Sequence, residues 1–250
     1  MHLETLGNIS FSWEFVLGFL SIILIDLILA GDNAVVIAMA VRSLAPKQRR
    51  RGIMLGAGGA VVLRIGLTFV AAQLLTFSMV KFLGGALITW IAVKLFVEGA
   101  PEDKFQRQAK TLGQAVVTVM IADLVMSVDN ILAVAGASKG NVFLLIFGLG
   151  LSIPFVVFTA NLLSTLMDRY PVIVYLGALV LGRVAGEMMI TDPMIQNLLH
   201  PGPWTEYAVQ AFFAVGVIAF GKLWLRWKIS KQGPSAKTEA ESPLDNAGNG

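Results

Sequence analysis

Ile25-Asp26-Leu27-Ile28-Leu29-Ala30-Gly31-Asp32-Asn33 sets two carboxylates and an amide inside an apolar run that extends from Trp13 to Val41. A run of that length can cross a bilayer, for which about 20 residues suffice. A carboxylate near the bilayer centre costs roughly 2.5–3.5 kcal/mol on insertion scales. The chain carries the pattern again as Ala122-Asp123-Leu124-Val125-Met126-Ser127-Val128-Asp129-Asn130. Asp26 maps to Asp123, Asp32 to Asp129 and Asn33 to Asn130, all at an offset of 97 residues. Four costly carboxylates in matched pairs point to a site. Helix–helix hydrogen bonding alone would not account for two copies of the same spacing.

Of the 250 residues, 56% are hydrophobic and 14% are charged, and several apolar runs exceed the length of a membrane span. The class is a polytopic helical membrane protein. Continuous runs without period-two alternation exclude a barrel. Seven transmembrane helices are expected, at about 13–41, 52–76, 78–98, 111–136, 141–166, 171–190 and 205–228. Met1 to Phe11 lacks the basic stretch that opens a signal peptide. The absence of cysteine excludes disulfides and thiolate metal sites, and His2 and His200 fall outside the apolar runs. The net charge of +3 comes from loops and reads as topology, not as nucleic-acid binding.

Fourteen basic residues lie on one side of the expected spans, among them Arg42, Arg49, Lys104, Arg169 and Lys222; only Lys81 and Lys139 lie on the other. By the positive-inside rule the N-terminus is periplasmic and the C-terminus cytoplasmic. The two motif copies sit in the first and fourth spans, three spans apart, so they run in opposite directions. A fainter echo, Gly85-Ala86-Leu87 and Gly177-Ala178-Leu179, recurs at an offset of 92. The expected architecture is therefore two inverted three-helix repeats, about 13–98 and 111–190, plus one C-terminal helix. Together these make a transmembrane domain over 1–229, followed by a disordered cytoplasmic tail over 230–250. Inverted repeats are a recurrent build of secondary transporters, with the ion site near midplane.

Asp26 and Asn33 are seven residues apart and share a helix face, whereas Asp32 points about 120° away on an unbroken helix. Gly31 leaves open either a loosened turn that frees backbone carbonyls or plain close packing. Arg64 and Arg183, central in their spans, are expected to pair with aspartates. Two carboxylates then remain unmatched, which suits one divalent cation, or protons when the site is empty. Carboxylate and amide oxygens from Asp26, Asp32, Asn33, Asp123, Asp129 and Asn130 suit Mn²⁺, Ca²⁺ or Mg²⁺. Glu187 is a candidate accessory group, and a thioether from Met126 would favour manganese or iron over magnesium and calcium. Gly56-Ala57-Gly58-Gly59-Ala60 and Gly148-Leu149-Gly150 should let helices approach closely, and Pro154 should kink its helix or loosen the backbone there. No Walker A sequence is present, so proton exchange is the expected driving force. No nucleophile–base pairing suggests an enzyme. A membrane scaffold or assembly factor is the alternative from a different class, and an exporter of a small zwitterion bound by Arg64 or Arg183 is a third reading.

The paired Asp-x5-Asp-Asn motifs, over roughly residues 13–190, resemble the TerC family of membrane proteins, and within it the short YjbE-like bacterial branch. That resemblance implies an integral protein of the bacterial inner membrane with manganese export as its activity. It also admits homo-oligomers or association with secretion machinery. The chain departs from many longer members in having Asp129-Asn130 where they have Asp-Ser, and in being shorter, so that their outer helices are expected to be missing or reduced.

Overall fold

The computed structural model describes residues 13–74, 79–99, 111–138 and 141–231. They form α1 (Trp13–Arg42), α2 (Pro46–Leu74), α3 (Val80–Gly99), α4 (Leu112–Ser138), α5 (Val142–Arg169), α6 (Val172–Ile190), α7 (Pro193–Leu199) and α8 (Pro203–Lys231). Residues 232–250, and with them most of the expected tail, lie outside the described residues, as do Lys104, Arg107, Lys110 and Lys139.

The architecture is all helical. Among the described residues, five helices are long and apolar enough to cross a membrane, in α2, α3, α5, α6 and α8, and Leu112–Val128 of α4 is a shorter apolar stretch. The outer surface is that of a membrane protein. Phe69, Leu83, Phe155, Phe158, Phe212 and Leu223 all stand exposed, and so many large apolar side chains facing outward suit lipid better than water.

Several boundaries differ from those read in the sequence. α2 starts at Pro46, because proline suits the first turn of a helix, where its missing N–H is not needed. Arg49, Arg50 and Arg51 therefore sit in the first turns of α2 and not in a loop. α7 was unforeseen: Asp192 caps it, its carboxylate accepting the Met194 N–H at 2.9 Å, with Pro193 next. The other Asp192 oxygen accepts the N–H of Phe82 at 3.2 Å and ties α7 to the start of α3. α1 is continuous through Gly31, with no unwound turn. α5 likewise runs through Pro154 as one helix.

α1 packs most extensively on α5, α2 on α4, α3 on α6, and α6 on α8. Two glycines permit the first two of these contacts. A Cβ on Gly148 would come within 2.5 Å of Ile22, and one on Gly56 within 3.0 Å of Val119. A large apolar core runs below the first motif, from Val36 and Val41 of α1 to Phe96 of α3 and Leu181 of α6. A smaller one, with Ile22, Val61 and Leu149, lies on the other side. The polar residues of the motif sit between these two cores.

Candidate ion site in the membrane

The centre of the bundle is a guanidinium held between two carboxylates from different helices. Arg64 of α2 donates from Nη1 to Asp26 Oδ1 of α1, and from Nη2 to Asp123 Oδ1 of α4 at 2.6 Å. Its Nε donates to Ser127 Oγ at 2.9 Å, and that hydroxyl donates onward to Asp123 Oδ2 at 3.2 Å. The group is deeply buried, with Asp26 2% and Arg64 5% exposed. An arginine can do this because its planar fork carries several donors in fixed directions. Ser127 stands four residues after Asp123, on the same face of α4.

A cavity of about 20 Å³ adjoins the guanidinium, lined among others by Asp26, Asn33, Arg64, Asp123 and Ser152. It has room for roughly one water-sized species. Asn33 is buried, yet among the described residues neither its Oδ1 nor its Nδ2 has a hydrogen-bond partner. A buried amide without partners carries a desolvation cost of about 1–3 kcal/mol. Asp26 and Asn33 line the same cavity, as their seven-residue spacing on an unbroken helix requires.

The other candidate residues lie elsewhere. Asp32 is half-buried, does not line this cavity, and has Arg183 of α6 as an electrostatic neighbour. Arg183 makes its bonds to Gln210 Oε1 of α8 at 3.2 Å and to Glu187 Oε2 at 3.4 Å. Its hydrogen-bonded partners are thus a glutamine and a glutamate, where the sequence led us to expect aspartates. Asn130 is half-buried and away from the cavity, and Met126 packs in the apolar core. The side chain of Asp129 lies outside the described residues. Among the described residues, no three carboxylate, imidazole or thiol groups come together as a metal cluster. The carboxylates meet as a pair, and among the described residues Asn33, Ser127 and Ser152 bring further side-chain oxygens near them.

Ser127 and Ser152 were missed in the sequence. Serines in transmembrane helices commonly bond to their own backbone, as Ser152 does to Leu149 O at 2.7 Å, so their presence alone signals little. The usable clue for Ser127 was its place within the second motif, one turn from Asp123.

The profile of the integral membrane protein TerC family matches residues 11–230. The chain belongs to the TerC family. It is similar to the uncharacterized membrane protein YjbE of Bacillus subtilis, 40% identical over 179 residues, which cover 72% of this chain and 82% of YjbE. It is also similar to YceF of the same organism, 29% identical over 67% of this chain and 68% of that protein. The inner membrane protein YgdQ of Escherichia coli K12 is 25% identical over 59% of this chain and 69% of its own. No solved structure matches. The chain is a multi-pass integral membrane protein of this family.

Proposed function

We propose that the chain is a secondary transporter that exports a divalent cation, with Mn²⁺ as the ion and protons as the countercharge. The observation that carries this is the convergence of Asp26 and Asp123, equivalent residues of the two motif copies, on one buried cavity beside the unpartnered Asn33 amide. Hard oxygen donors in a buried site suit Mn²⁺, Mg²⁺ or Ca²⁺. Asp32, Asp129 and Asn130 serve the path on either side of the central pair. On antiparallel helices that cross at the first aspartate, six residues carry Asp32 and Asp129 about 9 Å away in opposite directions.

The transport reading includes seven spans and an inverted repeat. α1, 30 residues long, and α4, 27 residues long, are spans by this reading. The packing supports the repeat. Replacing α1, α2 and α3 by α4, α5 and α6, and the reverse, turns the α1–α5 contact into the α4–α2 contact. The glycine contacts follow the same rule, since Gly148 is 92 residues after Gly56 and Val119 is 97 after Ile22. The N-terminus is periplasmic and the C-terminus cytoplasmic, in keeping with the basic bias. The membrane is the bacterial inner membrane, in keeping with the relative YgdQ.

The test is ion flux into inverted membrane vesicles across a panel of divalent ions. Mn²⁺ should accumulate with wild-type protein and stay at background with Asp26→Asn. If no ion of the panel moves, divalent-cation transport is the wrong reading, and the scaffold and zwitterion readings take its place.

A further inference from the structure

Resting on that transport reading, we propose that Arg64 is a tethered cation. It occupies the aspartate pair when no ion is bound and leaves at least one aspartate when an ion binds. The empty carrier can then reorient across the membrane.

Three observations lead there. The guanidinium lies between Asp26 and Asp123, where a shared cation would also have to lie. Each oxygen of Asp123 already accepts a bond, Oδ1 from Arg64 and Oδ2 from Ser127. An ion that takes this carboxylate therefore competes with those donors for the same oxygens. Finally, the cavity lined by the Asn33 amide adjoins the guanidinium without being filled by it, so the amide oxygen stands beside the pair with no hydrogen bond to Arg64.

Charge decides the rest. The two carboxylates carry two negative charges, and a divalent cation matches the bare pair. With Arg64 in place only one negative charge remains, and an entering dication would face a like charge at close range. Ion and guanidinium thus compete for the same oxygens. When the ion departs, two bare carboxylates at bilayer depth would resist any rearrangement that moves them through a dry, low-dielectric interior. Arg64 neutralises one of them by returning, and the proton taken up in exchange neutralises the other. Lysine could return as a point charge, but it lacks the fork that spans two helices.

The experiment uses the full chain in liposomes loaded with Mn²⁺, with the membrane potential clamped. Net efflux into Mn²⁺-free buffer requires the empty carrier to return. Exchange of labelled for unlabelled Mn²⁺ does not. In Arg64→Gln the ratio of net efflux to exchange should fall about tenfold against wild type, and in Arg64→Lys by less, since an unpaired buried carboxylate is the cost being measured. A merely structural role would lower both modes together and leave the ratio unchanged, which overturns the proposal. An unchanged ratio with both rates intact overturns it equally. If the Gln variant does not accumulate as monodisperse protein, Arg64→Lys carries the test on the same ratio. Wild-type protein inactive in both modes refutes the transport reading itself.

Discussion

Two arginine–aspartate clusters hold this bundle, and their stoichiometries are opposite. At the centre one arginine, Arg64, serves two aspartates. At the end of the bundle where α1 and α5 finish and α2 begins, two arginines serve one aspartate. There Arg42 Nε donates to Asp168 Oδ1 at 3.3 Å and Arg49 Nη1 to Asp168 Oδ2. Other donors go to backbone carbonyls: Arg42 to Gly99, and Arg49 to Leu44 and to Arg42 at 2.9 Å. That end cluster joins α1, the start of α2, and the last residues of α3 and α5. Its positive excess is absorbed by carbonyls, which fits a structural tie. The central cluster has a negative excess and a neighbouring amide without a hydrogen-bond partner among the described residues. Structural ion pairs fill their bonding capacity, whereas a site that must receive an ion keeps some in reserve.

The largest expected difference between the two lies in flux. Asp26→Asn and Asp123→Asn keep shape while removing charge. Each should cut Mn²⁺ flux by roughly a hundredfold or more, since even outer-shell changes at metal sites cost 10–100-fold. The protein should still reach the membrane, because the other aspartate remains to pair with Arg64 and a neutral amide is cheaper to bury than a carboxylate. Normal flux in either variant would make the central cluster as structural as the one at the end.

Part of this contrast was legible in the sequence. The phase of α1 placed Asp26 with Asn33 and sent Asp32 elsewhere, and because α1 stays helical through Gly31 that phase is what the structure shows. The repeated motif marked both central aspartates. The point where the helices cross was not legible. Antiparallel helices could as readily set Asp26 against Asp129 as cross at Asp26 and Asp123. What selects the crossing is the packing of α2 on α4 and α5 on α1, together with the span of one guanidinium, and neither has a local signature. The end cluster was invisible for a similar reason. Arg42 and Arg49 read as topology signals, and their partner Asp168 is more than a hundred residues away. α7 did carry its signal, an aspartate followed by proline, but seven residues are too few for periodicity to reveal.

Stability gives the converse effect. Asp168→Asn leaves Arg42 and Arg49 without their shared charge. Removing one partner of a buried pair costs about 3–5 kcal/mol. Asp168 is 36% exposed, and solvent screening brings the expected loss down to about 1–2 kcal/mol. Denaturant unfolding in detergent would register it. Flux per folded molecule should stay at the wild-type level. A variant of normal stability with impaired flux would invert the assignment and give the end cluster a part in transport.

The smallest effect is the most specific, because it has opposite signs in two measurements. Asn33 is buried with both polar atoms unpartnered among the described residues. A residue retained only for packing would not pay that desolvation cost. Asn33→Leu replaces the stranded amide with an apolar side chain of the same branching and the same number of non-hydrogen atoms, and should raise unfolding stability by about 1 kcal/mol. If the amide oxygen is a ligand, the same variant should weaken the apparent affinity for Mn²⁺ by up to about tenfold, the equivalent of one neutral bond. Stability would be read from unfolding in detergent and affinity from the concentration dependence of flux. Gain in the first with loss in the second is the behaviour of a binding group that the fold tolerates. Loss in both would mean that Asn33 has partners in the working protein and that the reserve at the central cluster is smaller than its geometry indicates.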